Sequence, residues 1–127
     1  MASKVKIQTE KAPQAIGPYS QAIKTGDMVF CSGQIPLCPE KKALITGDIC
    51  AETHQVLKNL RSVLEAAGSH LNKVVKTTIF LKNLENFSEV NKVYAEYFEE
   101  PFPARSTVEV AKLPLNANVE IEAVAKV

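Results

Sequence analysis

Seven consecutive residues, Val74-Val75-Lys76-Thr77-Thr78-Ile79-Phe80, are so rich in β-branched side chains that they fit a well-buried strand, and helical periodicity flanks them on both sides. A strand caught between two helices needs a sheet to belong to. Before it, from Asp48 as N-cap, apolar residues recur at Val56, Leu57, Leu60, Val63, Leu64 and Ala67, one face of a helix that Gly68 stops. After it, Asn86 and Glu89 stand at capping-box spacing ahead of a face formed by Phe87, Val90, Tyr94, Tyr97 and Phe98, and Pro101 and Pro103 close that helix. At 127 residues, 46% of them hydrophobic, the chain has length for a single domain over residues 1–127 and apolar content for a real core.

The remaining strands lie at the two ends. Ala22-Ile23-Lys24 and Met28-Val29-Phe30-Cys31 flank Gly26-Asp27 and predict a tight hairpin whose second strand ends at Ser32-Gly33-Gln34. In the tail, Arg105, Thr107 and Glu109 alternate with Ser106, Val108 and Val110. A last strand alternates Val119, Ile121, Ala123 and Ala125 with Glu120, Glu122 and Lys126, so polar atoms are expected to gather on one side. The order hairpin, helix, strand, helix, strand, strand describes an α/β (α+β) domain with one mixed sheet and both helices on a single face. The other face also needs cover, and oligomerisation supplies it most simply. The Ala111–Asn118 connection is long for a hairpin, which leaves room for another strand between the last two.

Fifteen basic and fourteen acidic residues, with neither sign gathered into a block, lack the electrostatic footprint of a nucleic-acid binder. No apolar run nears the roughly 20 residues of a membrane span. Met1–Lys6 lacks the apolar core of a secretory signal and is short and arginine-free for a matrix presequence. Cys31, Cys38 and Cys50 show no CxxC spacing, which points away from a disulfide framework or structural zinc and toward a reducing compartment, most simply the cytosol.

Among candidate catalytic groups, Arg105 stands out as a lone guanidinium among β-formers. Its planar fork matches a carboxylate, so it marks an anion site unless Glu109, Glu120 or Glu122 occupies it as a salt bridge. His54, inside the first helix, and His70, just past it, look like solvated surface histidines, and two histidines without acidic ligand spacing do not make a metal site. Nucleotide-binding motifs such as GxGxxG and the P-loop are absent. Cys31 lies in an apolar run without a basic neighbour and reads as a buried, inert thiol. Gly33 is read as a bulge or turn glycine, with close backbone approach to a ligand as the alternative. Glu120 would hold or deprotonate a water if it lies in a cleft.

Ala15-Ile16-Gly17-Pro18-Tyr19-Ser20-Gln21-Ala22, Cys31-Ser32-Gly33-Gln34-Ile35-Pro36, Val90-Asn91, Phe102-Pro103-Ala104-Arg105-Ser106 and Val119-Glu120-Ile121-Glu122-Ala123, in this order, resemble the RidA (YjgF-type) reactive-intermediate deaminases from about Lys11 to Val127. The resemblance implies a chorismate-mutase-like fold, a six-stranded mixed sheet with two helices on one face, assembled as a homotrimer with clefts between subunits. It implies hydrolysis of 2-iminopropanoate and 2-iminobutanoate, products of dehydratases that use pyridoxal phosphate, to 2-oxo acids and ammonia, with no cofactor and no metal. By the same resemblance Arg105 clamps the substrate carboxylate, Glu120 with Thr107 positions the attacking water, and Tyr19, Ser32, Gly33 and Asn91 line the pocket. Many relatives carry cysteine where this chain has Thr107, so a thiol cannot be essential there. An endoribonuclease or translation inhibitor, and a non-catalytic carboxylate binder or chaperone-like protein, are the alternative functions, and relatives occur in both cytoplasm and mitochondria.

Overall fold

The computed structural model describes residues 3–127, so the expectation about a leader, which rests on Met1–Lys6, lies partly outside the described residues. Six strands form the main sheet: β1 (Val5–Ile7), β2 (Ala22–Thr25), β3 (Met28–Gln34), β6 (Val74–Leu81), β7 (Ala104–Glu109) and β8 (Val119–Lys126), in the spatial order β1-β2-β3-β8-β6-β7. All neighbours are antiparallel except β6 and β7. A small separate hairpin, β4 (Leu37–Cys38) with β5 (Ala43–Leu44), precedes the first helix.

Helices α1 (Ile49–Ala66) and α2 (Phe87–Tyr97) both pack on one face of the sheet. On α1, Val56, Leu57, Leu60, Val63 and Leu64 are wholly buried and meet Val29, Ile79, Leu81, Val119, Ile121 and Ala125 of the sheet. Each such aliphatic side chain contributes about 1.5–3 kcal/mol by leaving water, which is why the 3.6-residue spacing decides where the helix sits. Asp48 caps α1, its carboxylate accepting the N–H groups of Cys50 at 2.9 Å and Ala51 at 3.4 Å. The predicted hairpin closes on Gly26-Asp27, with Gly26 at φ 58°, where a side chain would be strained.

Three expectations need correction. The capping box at Asn86 does not form, because Asn86 has φ −82° and ψ 0° and its side chain caps nothing. Instead Asn83 accepts the Glu85 N–H at 2.9 Å and starts a 3-10 turn, Leu84–Asn86, that runs straight into α2. Nor is His54 a solvated surface residue: Nδ1 lies 2.8 Å from the Tyr97 hydroxyl and Nε2 3.9 Å from Glu96, so the half-buried ring ties α1 to α2. His70 is exposed, as expected.

The third correction concerns the tail. The strand that the long Ala111–Asn118 connection left room for is β6, which separates β7 from β8. Register then puts Arg105 opposite Thr77 and Thr107 opposite Ile79, both on the helix-covered side, whereas Glu120 lies opposite Phe80 and Glu122 opposite Thr78, on the other. Residues directly paired across a ladder project from the same face, so the polar groups are divided between the two faces rather than gathered on one. No described helix covers the outer face, where Phe30 is 48% and Val108 41% exposed.

Candidate active site

Two clusters carry the chemistry-bearing residues. The first is built at the edge of the sheet, where β7 runs beside α2. Arg105 is exposed and no carboxylate among the described residues pairs with it, which removes the salt bridges to Glu109, Glu120 and Glu122 as its role. Its guanidinium carbon lies 5.4 Å from the centroid of the Phe87 ring and 5.0 Å from that of Tyr94. Phe87, Asn91 and Tyr94 recur at i, i+4 and i+7, one stripe of α2, so Asn91 occupies the turn between the two rings. Thr107, two residues along the strand on the same face, has a buried hydroxyl without a hydrogen-bond partner. An unpaired buried hydroxyl costs about 1–3 kcal/mol, and such groups call for a function or a water.

The second cluster surrounds an irregularity between β3 and β8. Their register shifts between Cys31 and Gln34, so Ser32-Gly33 forms the bulge that the sequence suggested. A reason for glycine is visible there: a Cβ on Gly33 would lie 2.0 Å from Oε2 of Glu120. The close approach is thus to the protein's own carboxylate. Burial, and secondarily the charge of Glu122, push the Glu120 pKa above the ordinary carboxylate range. The Ser32 hydroxyl donates to the Ser20 carbonyl at 2.6 Å, which fixes the segment carrying Tyr19, itself 54% exposed.

One scaffolding residue of this cluster stood within the Ala15–Ala22 motif without a role read for it. Gln21, only 3% exposed, accepts the Thr9 N–H at 2.7 Å and donates to the carbonyls of Thr9 at 3.0 Å and Pro13 at 2.8 Å. It pins the long loop that ends in Tyr19. Phe87 and Tyr94 were visible in the sequence as a helix face, but their pairing with Arg105 depends on how β7 is placed against α2. Cys31 is buried, with a pKa pushed up to about 12 by that burial, so it remains a thiol and lacks the thiolate needed for attack.

Arg105, Asn91 and Thr107 therefore lie together, and so do Ser32, Gly33 and Glu120, with Tyr19 in the loop that Ser32 ties down through Ser20, but the two groups do not meet within one chain. The Glu120 side chain leaves the sheet on the face opposite to Arg105 and Thr107. A water held jointly by Glu120 and Thr107 side chains would need them from different copies.

Residues 9–127 match the family model described as Endoribonuclease L-PSP. A RutC family protein of Pyrococcus horikoshii is 53% identical over 119 residues, 94% of each chain. A protein of Dermatophagoides farinae named 2-iminobutanoate/2-iminopropanoate deaminase is 48% identical over 124 residues, 98% of this chain and 97% of its own. The crystal structure of E. coli TdcF with bound serine matches with a TM-score of 0.92 at 40% identity, over 98% of this chain and 99% of that one. Matched over nearly its whole length in both sequence and fold, this chain belongs to the Endoribonuclease L-PSP family, the RidA (YjgF-type) family that its motifs resemble.

Proposed function

We propose that the protein is a hydrolase that converts 2-imino acids such as 2-iminobutanoate and 2-iminopropanoate to 2-oxo acids, in sites that two copies of the chain complete together within a homotrimer. The observation that carries this reading is Arg105: an exposed guanidinium, free of any carboxylate partner among the described residues, beside an unpaired buried hydroxyl. The named deaminase at 48% identity supports the reaction, and the serine bound to TdcF supports a small carboxylate as ligand. The uncovered outer face supports a second copy, because the face that carries Glu120 also leaves Phe30 and Val108 exposed.

The chemistry asks little of the protein. Arg105 takes the substrate carboxylate in two parallel N–H···O bonds, which fixes the plane of the neighbouring C=N bond. The imine is already electrophilic, and more so when protonated. Glu120 of the other copy, more basic than a solvated glutamate, accepts a proton as water adds to C2 and the C=N π pair moves to nitrogen. The proton then passes from Glu120 to the amino nitrogen, the carbinolamine hydroxyl gives up its own proton by way of the same carboxylate as the C–N bond breaks, and ammonia leaves as the carbonyl forms; one water is consumed for each imine. Holding water and imine in line contributes several kcal/mol, on the order of what well-oriented reactants gain elsewhere.

The test is a threonine dehydratase reaction in which free imine is trapped by semicarbazide. Added protein should speed the appearance of 2-oxobutanoate and lower trapping, and Arg105→Ala should lose roughly a hundredfold of that effect with the loss of two charge-assisted bonds. Equal trapping with and without the wild-type protein would refute the reading.

A further inference from the structure

Arginine can be held in place by a carboxylate, but that consumes the N–H donors a substrate needs. Here the guanidinium lies over two aromatic rings instead, 5.4 Å from the Phe87 centroid and 5.0 Å from that of Tyr94. Ring faces attract a cation through their quadrupole without supplying a counter-charge, so with no described carboxylate paired to it the guanidinium keeps its charge open to a ligand.

The inner ring is itself anchored. The Tyr94 hydroxyl lies 2.8 Å from Oγ1 of Thr77, the residue directly opposite Arg105 in the β6–β7 ladder, and its ring stacks on Phe98 at 4.4 Å between centroids. Tyr94 and Thr77 are 5% and 0% exposed, so this contact sits in the core, whereas Phe87 is 37% exposed and forms the outer plate. Burial raises the Tyr94 pKa, with smaller opposing effects from the Thr77 hydrogen bond and Arg105, so the phenol stays neutral and offers the guanidinium no counter-charge.

We infer that Phe87 and Tyr94, the latter tethered by Thr77, are positioning residues that hold Arg105 in a carboxylate-ready orientation. The inference rests on the reading of Arg105 as the substrate clamp. Acting through the guanidinium, these residues should set affinity rather than chemistry. Losing one ring releases the side chain into other rotamers, and the substrate must then bear the cost of ordering it.

The test compares Phe87→Leu, Phe87→Tyr and Thr77→Val with the wild type in imine hydrolysis, with thermal unfolding as a control for folding. The NMR signal of the Arg105 Nε–H, identified by its loss in Arg105→Met, is followed in parallel without ligand. Phe87→Leu should raise KM roughly three- to tenfold, the range of an exposed to partly desolvated cation–π contact, while kcat stays within about twofold. It should also shift the Nε–H resonance as a ring current is removed. Phe87→Tyr, which keeps the ring, should restore both; Thr77→Val should raise KM by roughly two- to threefold. An unchanged KM and resonance in Phe87→Leu, failure of the tyrosine to rescue, or a fall confined to kcat would each overturn the inference. Should wild-type protein hydrolyse no imine while the resonance still responds to Phe87, the functional reading fails and the ring-held arginine stands.

Discussion

Glu120 is kept where it destabilises the fold. Its carboxylate is pressed into the space left by Gly33, half removed from water and near Glu122, and both effects raise its pKa above the unfolded value. For a carboxyl with a raised native pKa, the folded state binds the proton more tightly, so stability falls as pH rises from the unfolded pKa of about 4.3 through the folded one. Above the folded pKa the full penalty is present, and below the unfolded one it is gone. Glu120→Gln should therefore have a higher Tm than wild type at pH 7, with the gap closing below about pH 4.3, while imine turnover is lost. Thermal unfolding at the two pH values checks this; a variant no more stable than wild type at pH 7 would contradict it. Arg105 was legible in the sequence as an unusual charge on a strand, whereas Glu120 read as an ordinary strand-end glutamate that only the family resemblance singled out. That they sit on opposite faces was not legible, because alternation fixes parity within a strand, and relating β7 to β8 required knowing that β6 lies between them.

At the scale of the element, the helix ends separate readable signals from misleading ones. Asp48 engages two free N–H groups of α1, whereas Asn86 engages none at the start of α2. Asp48→Ala should lower stability by about 1 kcal/mol, and Asn86→Ala should stay within about 0.5 kcal/mol of wild type, both measured by denaturant unfolding. The reverse order would revive the capping box. The sequence could not separate these cases, since Asn83 and Asn86 are both good caps three residues apart and the 3-10 turn between them carries no hydrophobic period. Both helices, the hairpin at Gly26-Asp27 and β6 were legible because long runs of one periodicity reinforce each other. Strand β1, with three residues, and the two-residue strands β4 and β5 are too short for any period to register, and their pairing is set by the rest of the fold.

For the molecule as a whole, the candidate residues of one chain are divided between the two faces of its sheet. Arg105, Asn91 and Thr107 stand at the β7 edge beside α2. Glu120, Gly33 and Ser32 lie at the β3–β8 bulge, with Tyr19 in the adjoining loop, and the open sheet face on the side of Glu120 leaves Phe30 and Val108 exposed. If, as proposed, a second copy covers that face and the two groups meet across the contact, activity and assembly should be lost together. Fifteen basic and fourteen acidic residues nearly balance, so a polyanion would need a local basic patch to bind. Mixing two inactive variants tests the shared site most directly: Arg105→Ala and Glu120→Gln chains are unfolded, combined in equal amounts and refolded together. If each site takes its arginine from one copy and its glutamate from another, random assembly should restore about a quarter of wild-type imine hydrolysis. If both residues serve the same site from one chain, the mixture will remain as inactive as its parents.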